Sequence, residues 1–376
     1  MSIRNKLAAF LLFAGAAWPQ AGPLDPRSSM HITLPDDSPV TLLSADWGES
    51  RADHRGGALV LDLHTSLLFR NSVQRRIRGI TLLVAAQEVT PGGKASVSVP
   101  SLDAGPGDAF PVRIELRLLR PVYSGSGPLV QVVLDGVLFD DLGFYGPDKL
   151  NCRRSMTVWE LEARRDRKYF KSILEAEGPQ GLQKEILASL ARQADRPRVD
   201  MQMARAGRAT NYEPERELNF AFLQMPEAPV EPVAGSARVA GTELRAPRLE
   251  VVNRSKSPVR YLEIGWILKD RSGKEFVSGS LPSELSLAPG QRGQISQQTT
   301  LKLARPAAGG PLEIDSVTGF VNHVEFSDGR IWIPSRSALR DARLQNVLAP
   351  SPEEQRLTDL YRRKGLAAVV EQLKKF

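Results

Sequence analysis

Apolar and polar residues alternate most regularly in the segment 112–118. Its four apolar residues occupy every second position, and the charged Arg113, Glu115 and Arg117 stand between them. Because side chains along a strand point to opposite faces in turn, this segment predicts a strand with one buried and one solvated face. Further short apolar runs, separated by turns rich in Gly and Pro, predict an antiparallel β-sandwich domain over residues 56–150.

The periodicity changes after this region. Residues 159–176 contain neither Pro nor Gly, and apolar residues recur every three or four positions. This pattern predicts an amphipathic helix. Gly178, followed by a proline, is expected to break the helix before a second amphipathic helix, and a third short helix is predicted at 199–205. Together these segments predict a helical block over 156–208.

The region 237–340 repeats the first β domain. Asn71 aligns with Asn253, and the residues that follow each asparagine form a polar turn, a strand and a turn containing Gly. Later landmarks keep the same order, such as LRLLRP at 116–121 and LKLARP at 301–306. A repeat as long as a whole domain predicts two homologous domains rather than a solenoid.

The second copy resembles bacterial immunoglobulin-like modules of the exported kind, such as the CARDB and FxLYD groups. The resemblance implies a mainly β protein with two homologous immunoglobulin-like antiparallel β-sandwich domains, which here are separated by an α-helical block and followed by a C-terminal helix. It also implies adhesion, scaffolding or assembly at the cell envelope, without catalytic residues. The residues that carry it are Asn253, Ser255, Val259, Arg260, Ile264, Trp266, Asp270, Gly273, Pro289 and Gly290.

The N-terminal residues 1–21 have the pattern of a secretory signal peptide. Arg4 and Lys6 precede an apolar run at 7–17, which is too short to span a bilayer. The prediction is an exported protein, periplasmic or extracellular after cleavage; an uncleaved anchor or a buried helix is the alternative. An extended arm is expected at 22–55, with short edge strands at 31–34 and 40–43.

A Pro-rich segment, 209–236, precedes the second β domain. Pro226, Pro229 and Pro232 recur at every third residue, which favours a stiff polyproline II connector.

The C-terminal segment 351–376 begins with a helix-start signal. Ser351 suits the N-cap and Pro352 the first helical position. Gly365 is expected to interrupt this C-terminal helix. We expect the helix to dock on the protein; contact with a partner or with a membrane surface is the alternative.

Charge and cysteine content limit the functional classes. The net charge is +7 over 376 residues, and Arg4 and Lys6 of the predicted signal contribute two of these positive charges. This mild excess suits association with anionic lipid or wall polymer and does not favour nucleic acid. Cys152 is the only cysteine, so an intramolecular disulfide is impossible.

The strongest charge cluster is basic and lies on the first predicted helix. One interpretation is a solvated helix face with internal ion pairs, such as Glu160 with Arg164 at i and i+4. The other is an electrostatic binding patch for an acidic partner. The candidate binding residues are Arg153, Arg154, Arg164, Arg165, Arg167, Lys168 and Lys171.

No catalytic or cofactor pattern emerges from the sequence. The histidines at 31, 54, 64 and 323 have no metal-ligand spacing, and nucleotide-binding and nucleophile-elbow signatures are absent. We therefore predict no catalytic, cofactor or metal site. A hydrolase using Asp140, Asp141 and a histidine is a hypothesis that the spacing does not favour.

The preferred hypothesis is a non-enzymatic exported protein that acts as a binding, scaffold or adhesion component of the bacterial cell envelope. Its expected partner is an envelope protein or wall polymer. Peripheral membrane contact through the basic helix or the C-terminal helix is a further possibility, and the sequence does not determine the oligomeric state. The alternative is a carbohydrate- or cell-wall-binding protein that uses the aromatic rings of Trp266, Trp332 or Tyr145.

Overall fold

The computed structural model describes residues 22–23, 29–87, 92–122, 128–197, 200–205, 215–296, 299–304 and 313–376. The chain divides into two compact units, Met1–Arg153 and Arg154–Phe376. The prediction of a mainly β protein with a helical block and a C-terminal helix is confirmed. The signal-peptide prediction falls on residues 1–21, which lie outside the described residues.

The described part of the first unit contains two sheets. One sheet contains β1, β3, β4, β5 and β8, and the other contains β2, β6, β7, β9 and β10. The strands are β1 (Gly22–Pro23), β2 (Met30–Thr33), β3 (Val40–Asp46), β4 (Arg51–Arg55), β5 (Ala58–Asn71), β6 (Ile77–Ala85), β7 (Lys94–Val99), β8 (Ala109–Pro121), β9 (Val130–Phe139) and β10 (Phe144–Tyr145).

One buried core joins the two sheets of the first unit. Leu63 and Ile114 of one sheet lie in the same apolar cluster as Leu82 and Val132 of the other. Along β8 the apolar side chains are buried at alternate positions, whereas Arg113, like its charged neighbours, is exposed. The strand predicted at 112–118 is therefore confirmed, and its alternation determines which face joins the core.

The second unit contains two more sheets and the helices. One sheet contains β11, β12, β14, β15, β18 and β19, and the other contains β13, β16, β17, β20 and β21. The strands are β11 (Asp200–Arg205), β12 (Arg216–Asn219), β13 (Ala221–Phe222), β14 (Val230–Ala240), β15 (Glu243–Asn253), β16 (Val259–Asp270), β17 (Glu275–Leu287), β18 (Arg292–Ser296), β19 (Thr299–Ala304), β20 (Ile314–Phe326) and β21 (Ile331–Trp332).

Two strand pairings differ from the expected antiparallel arrangement. Strand β2 pairs in parallel with β9, and β13 pairs in parallel with β20. In each case the short strand lies well before its partner along the chain. No hairpin turn joins it to its neighbour, so its direction is not constrained to be antiparallel.

Asn71 and Asn253 form the same set of hydrogen bonds in the two units. Each Nδ2 donates to the carbonyl four residues later, at 2.8 Å for Asn71 and 2.9 Å for Asn253. Each also donates at 3.0 Å to a more distant carbonyl, of Ala104 or of Leu287. Each Oδ1 accepts from the backbone N–H two residues later. The shared polar turn seen in the sequence therefore has a shared structure.

The helices follow their sequence signals closely. They are α1 (Arg153–Asp195), a 3₁₀ turn (Ala338–Arg340), α2 (Ala342–Val347) and α3 (Pro352–Lys374). Gly178 and Gly365 have positive φ and break α1 and α3, as predicted. The Ser351 side chain accepts from the Glu354 N–H, so the predicted N-cap is confirmed.

The C-terminal helix docks on the helical block. Phe170, Leu182 and Ile186 of α1 form a buried cluster with Leu357 and Val369 of α3. This contact explains the spacing of apolar residues on both helices, since each buries one stripe against the other. Among the described residues, the structure contains no helix that combines the length and apolarity needed to span a membrane.

Two predicted segments have a different structure, and a third is confirmed in part. Residues 200–205 of the helix predicted at 199–205 form β11, whose D-M-Q-M alternation suits a strand and which pairs with β19; position 199 lies outside the described residues. The predicted connector at 209–236 contains β12, β13 and the start of β14 among its described residues. Pro232 is accommodated in β14 beside a register shift, where proline is tolerated. The predicted arm at 22–55 contains β1–β4 among its described residues, and the short edge strands expected at 31–34 and 40–43 are confirmed as β2 and β3.

Candidate functional site

The seven basic residues predicted as a binding patch all lie on α1, but they occupy different environments. Arg167 is buried, while Arg154 and Arg165 are partly buried, and all three form ion pairs within the second unit. Arg153 is the exposed first residue of the helix and belongs to the first unit. The remaining three are Arg164, Lys168 and Lys171.

Arg164, Lys168 and Lys171 form what we call the basic stripe. Their spacing of i, i+4 and i+7 places them on one face of α1. Arg164 and Lys168 are exposed, and Lys171 is partly exposed. Arg164 pairs with Glu160 at 3.0 Å, which confirms the i, i+4 ion pair predicted from the sequence. The stripe is the part of the predicted patch in the second unit whose charges lie at the surface.

Arg167 instead links α1 to α3. Its guanidinium lies 2.9 Å from the Glu160 carboxylate and 3.6 Å from that of Glu353. All three side chains are almost fully buried, with Glu353 completely so. Removing a charge from water is costly unless an opposite charge compensates it, so Arg167 serves as the counter-ion of two buried carboxylates.

A second buried ionic group surrounds Asp166. This carboxylate accepts two hydrogen bonds from Arg165 and a longer one, at 3.4 Å, from Arg336. Arg336 also donates to Glu354 at 3.0 Å, and Glu354 accepts from the Ser189 hydroxyl at 2.6 Å. The sequence does not reveal this group, because Asp166 and Glu354 lie 188 positions apart along the chain.

The start of α1 faces a polar group on the β16–β20 pair, which we call the His323 cluster. Arg154 donates to Glu325 at 2.5 Å, and its guanidinium carbon lies 3.6 Å from the centre of the Tyr261 ring. The Tyr261 ring stacks on His323 with 5.2 Å between ring centres. The Tyr261 hydroxyl donates to Glu263 at 3.0 Å. These five residues define the cluster.

Titratable groups in and beside this cluster have shifted pKa values. Burial lowers the pKa of His323 below its ordinary value. Its Nε2 lies 3.7 Å from Glu263, and neither ring nitrogen has a hydrogen-bond partner among the described residues. Burial also raises the pKa of Glu162 on α1 to about 7, with Arg165 opposing the shift and Asp166 and Glu263 adding to it. Glu162, beside the cluster, is therefore the group with a pKa near neutral pH.

The aromatic rings that the carbohydrate hypothesis requires are buried or half-buried and do not form an exposed binding surface. Trp266 is buried, at 2% exposure, and its ring centre lies 5.0 Å from that of Phe220. Trp332 is half-buried against the core of the second unit. Tyr145 is half-buried in the first unit, where its hydroxyl donates to Asp37 at 2.6 Å.

The acidic pair of the hydrolase hypothesis lies at a turn of the first unit. Asp141 forms an ion pair with Arg75 at 2.5 Å and accepts from the Gly143 N–H. The Arg75 side chain holds the pKa of Asp141 below its ordinary value. Within the described ranges, no group of three His, Cys, Asp or Glu residues could hold a metal ion. Cys152 is buried, with its Sγ 3.6 Å from the Ser96 hydroxyl.

Comparisons with known proteins do not assign a family. No protein-family model and no curated protein matches the chain. Two structures of a beta-glucosidase from Kluyveromyces marxianus align over 71% and 73% of this chain, at 8% and 10% identity. The chain spans less than half of that enzyme, 45% and 46%. Both alignments have a TM-score of 0.15, which is too low to support an argument about fold or function.

Proposed function

We propose that the chain is a non-enzymatic, exported binding or scaffold protein of the bacterial cell envelope, built from two homologous immunoglobulin-like β-sandwich domains. The order of strands supports the duplication, since β3, β5, β6 and β9 have β14, β15, β16 and β20 as counterparts in sequence and pairing. The matching hydrogen bonds of Asn71 and Asn253 support it further. So does the parallel strand at one edge of each unit.

The observation that carries the binding function is the basic stripe of Arg164, Lys168 and Lys171. Arg154, Arg165 and Arg167 have carboxylate partners inside the second unit, so their charges stabilise the fold. Lys168 is exposed and forms no ion pair among the described residues. A row of surface cations on a rigid helix suits an acidic surface on an envelope protein or a wall polymer.

Such a contact has a defined physical signature. Exposed charges at the rim of an interface accelerate association and make it sensitive to salt, and they contribute little to the stability of the fold. The partner should therefore dissociate as ionic strength rises. Charge reversal on the stripe should weaken the complex without unfolding the protein.

In-cell crosslinking of a tagged chain, followed by envelope fractionation, tests this proposal. Wild type would be compared with the double variant Lys168→Glu/Lys171→Glu and with a control, Lys184→Glu/Lys364→Glu, which makes the same charge change at exposed positions of α1 and α3. We expect the wild type and the control to be recovered crosslinked to a discrete partner, and the stripe variant to be recovered without it. Equal recovery from all three would overturn the assignment of the stripe, and substrate turnover by the purified chain would overturn the non-enzymatic proposal.

A further inference from the structure

A cavity of about 390 Å³ lies in the second unit, and none of the basic-stripe residues lines it. It is bounded by both halves of α1, by the 3₁₀ turn with α2, and by the start of α3. Its volume falls within the range of about 300–1,000 Å³ that is usual for small-ligand sites. The wall contains four arginines, Arg165, Arg192, Arg336 and Arg340.

Two of these arginines belong to the buried ionic group described above. Arg165 donates to Asp166 at 2.9 Å, and Arg336 donates to Glu354 at 3.0 Å. Arg336 is further fixed by the Tyr169 ring, whose centre lies 4.4 Å from its guanidinium carbon. Their carboxylate partners therefore already neutralise the charges of Arg165 and Arg336 in the cavity wall.

The charge of Arg192 is neutralised as well, whereas that of Arg340 is not. Arg192 pairs with Glu185 at 3.0 Å. Arg340 is exposed, and its side chain forms no ion pair or hydrogen bond within the part of the chain that the structure describes. Asp166, Glu185 and Glu354 thus balance three of the four guanidinium groups, and the cavity retains one positive charge at Arg340.

The remaining wall is partly apolar and partly hydrogen-bonding. Leu339, Leu348 and Pro350 contribute apolar surface, and Gln345 contributes an exposed amide. Tyr169 also lines the cavity; burial raises its pKa, while the charges of Arg336 and Arg340 oppose that shift, so both guanidiniums act on the phenol. The wall therefore combines one unbalanced cation with an apolar surface and neutral polar groups.

We propose that this cavity binds a carboxylate ligand with an apolar body, and that Arg340 holds the carboxylate. A guanidinium presents parallel N–H donors that match the two oxygens of a carboxylate, which gives both strength and orientation. The single excess charge suits a monoanion. The leucine and proline surface receives the apolar body, and the Gln345 amide is available to a peptide group or to water.

This proposal is independent of the basic stripe, because it concerns a different part of the second unit and a different ligand. A carboxylate of this kind can come from the C-terminus of a short peptide or from a free carboxylic acid. The two sources share the chemistry that Arg340 recognises. They differ in the amide groups of the peptide, which a free acid lacks.

Isothermal titration calorimetry on the full chain tests the proposal with defined probes. The probes are acetyl-Leu-Leu with a free C-terminal carboxylate, its C-terminal amide, 4-methylpentanoate and 4-methylpentanamide. The variants are Arg340→Gln and, as a matched control, Arg363→Gln, which removes an exposed arginine of α3 outside the cavity. Arg340 is exposed, so its replacement should leave the fold intact; a thermal unfolding curve for each variant verifies this.

We expect at least one acid to bind about tenfold more tightly than its amide, with Arg340→Gln abolishing that preference and Arg363→Gln preserving it. Binding by acetyl-Leu-Leu alone would identify a peptide C-terminus as the source. Comparable binding by 4-methylpentanoate would identify small acids. Equal affinity for acid and amide, equal effects of the two substitutions, or no binding by any probe would overturn the proposal.

Discussion

Asn253 shows how one buried side chain can hold a turn in place. Its amide donates to the carbonyls of Ser257 and Leu287, and its oxygen accepts from the Ser255 N–H. Replacement by alanine would leave these backbone groups without partners in a fully buried setting. Each such loss costs about 1–3 kcal/mol, so we expect Asn253→Ala to lower the free energy of unfolding by roughly 2–4 kcal/mol in urea titrations.

Asn219→Ala provides the matched control for this prediction. Asn219 is exposed and its side chain makes no hydrogen bond among the described residues, so its loss should change the free energy of unfolding by less than about 0.5 kcal/mol. Similar small effects of both substitutions would show that water replaces the hydrogen bonds of Asn253.

Glu162 should make the stability of the second unit depend on pH. Burial raises its folded pKa from 4.5 to about 7, against the attraction of Arg165. A raised pKa means that the folded state holds the Glu162 proton more tightly than the unfolded state does. The contribution of this proton to folding stability is therefore fully present below pH 4.5 and is lost as the pH rises through about 7. Glu162→Gln keeps the group neutral. It should therefore unfold like the wild type near pH 4 and be about 3 kcal/mol more stable at pH 8.

Urea unfolding of both proteins at the two pH values measures this difference. Glu175→Gln, at an exposed position of the same helix, is the control and should show little change at either pH. A Glu162→Gln protein that is less stable than the wild type at pH 8 would mean that the attraction of Arg165 outweighs the cost of burial.

At the scale of elements, Arg167 connects α1 to α3 through Glu160 and Glu353. Removing one partner of a buried ion pair leaves an uncompensated charge, which costs about 3–5 kcal/mol. We therefore expect Arg167→Ala to destabilise the second unit by that amount in chemical denaturation. The nearby Arg164 also contacts Glu160 but is exposed, so Arg164→Ala should cost at most about 1 kcal/mol. Equal losses would contradict the division of α1 into structural and surface cations.

The elements that the sequence predicts well are those with strong local signals. The alternation at 112–118, the helix break at Gly178 and the cap at Ser351 are all confirmed. The error at 199–205 arises because helix propensity is weak when a neighbouring strand is available for pairing, and β19 supplies that strand. The connector predicted at 209–236 fails for a related reason, since pairing with β15 decides the structure of β14.

The candidate site is less predictable than the fold. The sequence identifies a basic helix but does not separate Arg167 from Lys168, although one is buried and the other is exposed. The partners that decide this, Glu353 for Arg167 and Glu325 for Arg154, lie more than 160 positions away along the chain. Only the folded arrangement shows which cations balance buried carboxylates and which remain for a partner.

At the scale of the whole molecule, the two units have separate apolar cores, one containing Leu63 and the other Ile264. Both side chains are fully buried. Replacing such a residue with alanine typically costs about 2–5 kcal/mol. If each unit unfolds on its own, only the unit that contains the substitution should lose stability. The two units would then act as independent modules.

Native-state hydrogen exchange with peptide-level mass spectrometry measures this directly. In Leu63→Ala, we expect the slowest amides of β5 and β8 to exchange about 30-fold faster or more, since each 1.4 kcal/mol corresponds to roughly tenfold. The exchange rates of the slowest amides of β16 and β20 should be unchanged. Ile264→Ala should give the reverse pattern, with β16 and β20 accelerated and β5 and β8 preserved. Acceleration in both units by either substitution would show that the chain unfolds as one cooperative body, because protection then depends on the combined stability of both cores.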